Sequence, residues 1–206
     1  DTYQPSAEQI GRRSLLHAAL SILVESDPEW LITARNMYYA ATNLSDRLCA
    51  ARLVVHQGDD VHRAEVLEHF FDRWQSENLV VNQWFVMQAT RPSADCVSDV
   101  IELTHHAAFD WRNPNKVRSL ISAFAGANPT AFHALDGGGY RLLGDAVRRL
   151  QSDNPQIAAR MLAPMTRWRR YDHGQAVMRG ELESIAALEG LSQDVYEVVN
   201  RSLSDS

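Results

Sequence analysis

The sequence predicts an all-α fold, a superhelical, α-solenoid-like array of antiparallel helical hairpins, on three observations. Apolar residues recur at helical spacing through nearly all 206 residues, enough for about ten or eleven helices. Asx, Pro and Gly punctuate the chain where helices should start and stop. The connections are short, which favours antiparallel neighbours. No exact repeat is visible, so any repeat is structural and diverged. With no linker longer than a turn, residues 1–206 are expected to form a single all-helical unit.

Ser6 with Gln9 has the form of a capping box, opening a helix to about Glu25 whose Leu15, Leu16, Ala19, Ile22 and Leu23 share a side. Asp27-Pro28 starts a second helix carrying Trp30, Leu31, Ala34, Tyr38 and Ala41. Asn43 with Asp46 caps a third, with Leu48, Ala51, Leu53 and Val55, and Gly58-Asp59-Asp60 ends it. A fourth, about Val61 to Gln75, places Val66, Leu67, Phe70, Phe71 and Trp74 inward. The fifth, Leu79 to Ala89, is apolar on nearly all sides and reads as central; Gln83 and Gln88 fit helical spacing better than the alternation of a strand.

Arg91-Pro92 breaks the chain, and a sixth helix runs from about Ala94 to His105. Pro114 starts the seventh, with Val117, Leu120, Ile121 and Phe124 as its core stripe. Pro129 opens a short piece, and Gly137-Gly138-Gly139 allows a sharp turn before a helix from Tyr140 to Leu150. Asn154-Pro155 opens the next, with Ile157, Met161, Leu162, Met165 and Trp168 inward and Pro164 as a kink or interruption. Two more follow, near Gln175–Leu188 and Ser192–Leu203, the latter capped by Ser192.

At 45% hydrophobic and 22% charged, the composition is that of a soluble globular protein. A net charge of -6 argues against a general nucleic-acid binder, which needs a dense basic surface. No apolar run approaches the roughly 20 residues that span a bilayer, and no membrane partner is expected. Cys49 and Cys96 read as buried free thiols, which favours a reducing compartment and a cytoplasmic location. The chain opens on Asp1 rather than Met, the expectation for a fragment.

The polar candidates are few. His62, Glu65 and His69 share a helical face, but no fourth ligand accompanies them, and surface or capping roles are expected. His105 and His106 are adjacent, so a helix points them apart, and His133 reads as a local hydrogen-bonding residue. Gly137–Gly139 lacks the Lys-Ser/Thr of a phosphate loop, and no His-Glu-x-x-His is present. Arg167-Trp168-Arg169-Arg170-Tyr171 reads either as a stacking clamp for single strands or as a helix C-terminus complementing its dipole, and the net charge favours the second. Gln156, Arg160 and Arg167 fall close to one line beside an apolar stripe, and Arg118 sits at the edge of another. Arg118 either pairs with an acidic surface residue or converges with Gln156 and Arg160 on a groove that binds a carboxylate or backbone carbonyls.

At these residues the chain resembles the C-terminal part of the bacterial aminopeptidase N family, the large gluzincin metallopeptidases. The matching stretches are Leu79–Thr90, Asn113–Pro129, Ala131-Phe-His-Ala134, Asp136-Gly-Gly-Gly-Tyr140, Asn154-Pro155 and Arg170-Tyr171-Asp172, and they span nearly the whole chain. The resemblance implies an all-helical domain that covers an active-site chamber, with Arg118, Gln156 and Arg160 on the chamber side near the leaving-group part of short peptides. It implies zinc held in an upstream peptidase domain of the same polypeptide, with no cofactor and no catalytic residue in this chain. The isolated chain is then expected to be inactive. The alternative is a free-standing helical-repeat module whose groove binds a partner protein.

Overall fold

A computed structural model describes residues 4–204. The chain is all-α, packed as antiparallel helical hairpins, with no strand among the described residues. It divides into two compact units, residues up to Met87 and residues from Gln88 onward, the division falling in the last turn of a helix.

The first unit holds α1 (Ala7–Ser26), α2 (Trp30–Ala40), α3 (Leu44–Gln57), α4 (Asp60–Trp74) and most of α5 (Asn78–Ala89). The capping signals act as expected: Ser6, Asn43 and Asp59 accept from the backbone N–H groups of Gln9, Asp46 and His62. α3 packs against α1, α2 and α4, so Cys49, Ala50, Ala51, Leu53, Val54 and Val55 are all buried. α5 is a helix, and Val81, Trp84, Phe85 and Met87 are buried although Leu79 is exposed. Trp84 Nε1 donates to the Leu67 carbonyl at 3.0 Å, satisfying the indole as it leaves water.

The α1 stripe differs from expectation. Leu20 and Val24 are the buried residues, whereas Leu15 and Ile22 are 72% and 67% exposed. Apolar residues lie around most of α1, so its own sequence does not choose the inward side. Packing on α2 and α3 does, and the His17–Leu20–Val24 side meets them, with His17 Nε2 2.7 Å from Asp46 Oδ1 of α3.

The second unit holds α6 (Cys96–Leu103), then α7 (Pro114–Val117), which runs through a π turn (Arg118–Ser122) into α8 (Ala123–Ala127). α9 (Pro129–Phe132), α10 (Gly138–Leu150) and α11 (Pro155–Met161) follow. A 3-10 helix (Met165–Arg170), α12 (Gln175–Ala186) and α13 (Gln193–Ser204) complete it. α10 is its centre, packing on α6, α9, α11 and α12 and burying Tyr140, Leu143, Val147 and Leu150. The glycine turn makes this possible: Gly137 adopts φ 69°, and a Cβ on Gly139 would lie 2.6 Å from the Phe132 carbonyl oxygen. Asn128, 1% exposed, caps α9 through Ala131 N and sends its amide to the carbonyls of Ala89 (3.0 Å) and Arg91 (2.7 Å).

Of the kink or interruption expected at Pro164, the interruption holds: α11 ends at Met161 and a 3-10 helix follows, with Leu162, Met165 and Trp168 still buried. The expected Ser192 cap differs: its buried Oγ has no hydrogen-bond partner among the described residues, while its carbonyl accepts from Tyr196 and its N–H donates to the Gln151 side chain.

Candidate functional site

The site lies between two Asn-Pro helix starts. Asn113 Oδ1 accepts from Asn115 N at 3.0 Å, and Asn154 Oδ1 accepts from Ile157 N at 3.3 Å; Pro114 and Pro155 each take the first helical position. These caps fix the starts of α7 and α11, and hence the height at which Arg118, Gln156 and Arg160 emerge.

Helix 114–127 is buried on most sides, with Val117, Leu120, Ile121 and Phe124 all inward as expected. Its free edge carries Asn115, Arg118, Ser122 and Gly126. Arg118 begins the π turn, in which Ala123 N donates back to the Arg118 carbonyl. Such turns re-phase a helix by one residue and recur at functional sites. Arg118 makes no ion pair among the described residues: its Nε donates to the Pro114 carbonyl at 3.2 Å, and one Nη donates to Asn115 Oδ1 at 2.8 Å. Both bonds hold the guanidinium in place without neutralising it.

Across from it, Gln156 and Arg160 stand one turn apart on α11, both exposed and neither with a hydrogen-bonding side-chain partner among the described residues. Arg118, Ser122, Gln156 and Arg160 line one surface cavity of about 430 Å³, floored by Ile157 and Met161. The three side chains singled out from sequence therefore converge. Two guanidinium groups without a carboxylate, beside an amide that can donate and accept, form a surface suited to carboxylates and peptide carbonyls. Ser122 was missed; its signal is the i, i+4 spacing from Arg118 along the exposed edge. Arg167 does not join, because the break after Met161 dissolves the line drawn through Gln156 and Arg160.

The other polar candidates are internally occupied. His62 Nδ1 meets Asp59 Oδ2 at 2.8 Å, Glu65 accepts from Arg35 and Tyr39 at 2.7 Å, and His69 Nδ1 meets the Tyr38 hydroxyl at 2.7 Å. His133 bonds the Tyr140 hydroxyl at 2.9 Å and stacks on Tyr171 at 4.2 Å; burial, then the nearby His173, lowers its pKa below the ordinary imidazole value. Cys96 is buried and its thiol is pushed up to about 11 by burial. Among the described residues no group of three or more His, Cys, Asp or Glu could hold a metal ion, and no helix is long and apolar enough to cross a membrane.

Residues 1–204 match a family model described as a domain of unknown function (DUF3458_C) with ARM repeats. Aminopeptidase N of Escherichia coli K12 is 38% identical over 203 residues, covering 98% of this chain and 23% of that protein. Aminopeptidase N of Caulobacter vibrioides is 37% identical over 204 residues, again covering 98% of this chain and 23% of its relative. The crystal structure of Legionella pneumophila aminopeptidase A in complex with aspartic acid superposes with a TM-score of 0.90 at 29% identity, over 100% of this chain and 25% of that one. The chain thus spans about a quarter of the length of the proteins it matches.

Proposed function

Because the chain belongs to the DUF3458_C family of ARM-repeat domains and is homologous to the C-terminal helical domain of bacterial M1-family aminopeptidases, we propose that it serves a zinc aminopeptidase that removes N-terminal residues from short peptides. In this reading hydrolysis belongs to an upstream peptidase domain, which supplies the zinc. This chain covers the active-site chamber and positions the peptide beyond the scissile bond. The supporting observation is the cavity shared by Arg118, Gln156 and Arg160. The arginines would hold carbonyls or the carboxylate on the leaving-group side, and Gln156 would bond a backbone amide. All three act by binding, and the isolated chain is expected to turn over no aminoacyl amide.

The test is Arg160→Ala in the full-length protein. Losing one charge-assisted contact of about 1.5–3 kcal/mol should lower kcat/KM for peptides roughly 10- to 100-fold. A small chromogenic aminoacyl amide, which does not reach Arg160, should be cleaved as before. Equal losses on both substrates would contradict a role beyond the scissile bond.

A further inference from the structure

Arg160 stands on the crest of α11 and borders a second cavity on its other flank, of about 550 Å³, formed with the 3-10 helix and α13. Three guanidinium groups line it, those of Arg160, Arg169 and Arg201, against the single carboxylate of Glu197. This is a local cationic excess on a chain of net charge -6. Arg169 is held in place: it donates to the carbonyls of Ser202 (2.6 Å) and Leu203 (3.4 Å) and lies over the Trp168 ring at 4.1 Å. Arg160 and Arg201 are exposed and have no carboxylate partner among the described residues. Glu197 is engaged by the Gln193 amide at 2.8 Å. Ala159, Ala163 and Val198 supply small apolar walls that leave the arginine heads accessible.

We propose that this second cavity is an anion-binding subsite that receives a carboxylate of a peptide extending past Arg160, with Arg201 as its principal ligand and Arg169 as a fixed neighbouring charge. The inference rests on the reading of Arg160 given above and extends it. Two peptide carboxylates have the required chemistry, the C-terminal group and an acidic side chain. Guanidinium heads on both flanks of one crest would favour acidic over basic peptides of sufficient length.

The test uses Arg201→Glu and Arg201→Lys in the full-length protein. The substrates are a series from dipeptide to octapeptide, each with a free C-terminus, amidated, or amidated with one internal Glu. Arg201→Glu should raise KM about tenfold for longer carboxylate-bearing peptides with kcat unchanged. Dipeptides and neutral amidated peptides should be unaffected, and Arg201→Lys should retain most of the binding. An effect confined to free C-termini assigns the terminal carboxylate; one confined to the internal-Glu series assigns the side chain, and one shared by both shows that the subsite takes either carboxylate. Unchanged KM throughout, or equal loss on neutral peptides, overturns the subsite. If Arg160→Ala still separates peptides from the small amide, that failure belongs to the subsite alone. If Arg160→Ala separates nothing, the underlying reading falls with it.

Discussion

Asn128 shows how much one side chain can carry in a helical protein. Its oxygen caps α9, while its amide nitrogen serves the carbonyls of Ala89 and Arg91 and lies 3.3 Å from Cys96 Sγ. α5 ends at Ala89, so the Ala89 carbonyl lacks a helical partner of its own, and the Arg91 carbonyl, two residues on, also accepts from Ser93 N. Asn128→Ala would strand the Ala131 N–H inside the protein and take the amide donor from both carbonyls, leaving Arg91 O with Ser93 N and Ala89 O with the Cys96 thiol. We expect a loss of about 2–3 kcal/mol in urea unfolding. Asn128→Asp should also destabilise, since it keeps the cap but turns a donor into an acceptor facing two carbonyls. The helix start at Pro129 was legible in the sequence, because the interactions that open a helix are local. Nothing local disclosed the second set of bonds, whose partners lie 37 and 39 residues away.

Among the elements, α1 and the helix from Pro114 to Ala127 mark opposite limits of pattern reading. The second has one unambiguous apolar stripe, and Val117, Leu120, Ile121 and Phe124 are buried as the spacing requires. Arg118 at its edge was legible for the same reason, although the π turn beneath it was not, since a one-residue re-phasing leaves little trace in periodicity. α1 offers apolar residues in several directions, and its partners select Leu20 and Val24. Leu20→Ala should therefore cost about 2–4 kcal/mol, and Leu15→Ala should stay within about 0.5 kcal/mol. Paired denaturation curves would decide between this face and the one the sequence suggested.

For the molecule as a whole, two half-buried imidazoles contribute to the acid response. Burial lowers the pKa of both His133 and His106. Each is harder to protonate in the fold than in the unfolded chain. Their stabilisation is complete above the ordinary imidazole pKa of about 6.5 and is lost as pH falls from there through the folded-state values. Urea midpoints should fall between about pH 7 and pH 5, and His133→Phe should flatten part of that slope. Asp59 and Asp110 are held below the usual carboxylate range, chiefly by the backbone N–H groups of His62 and Arg112. Their contribution disappears only below about pH 4, outside this window.

The sequence by itself determined that the chain is all-α, where most helices begin, and which of its polar side chains to watch. These follow from interactions spanning a few residues: i, i+4 periodicity, Asx caps and the fixed φ of proline. Only the tertiary structure decided that Arg118, Gln156 and Arg160 share a cavity, that Arg167 does not, and that Arg201 stands on the far flank of Arg160. Such placement depends on how α11 stops before Pro164 and packs on α10 and α13. A helix pattern records which side is apolar; the neighbours it meets settle which polar groups end up facing one another.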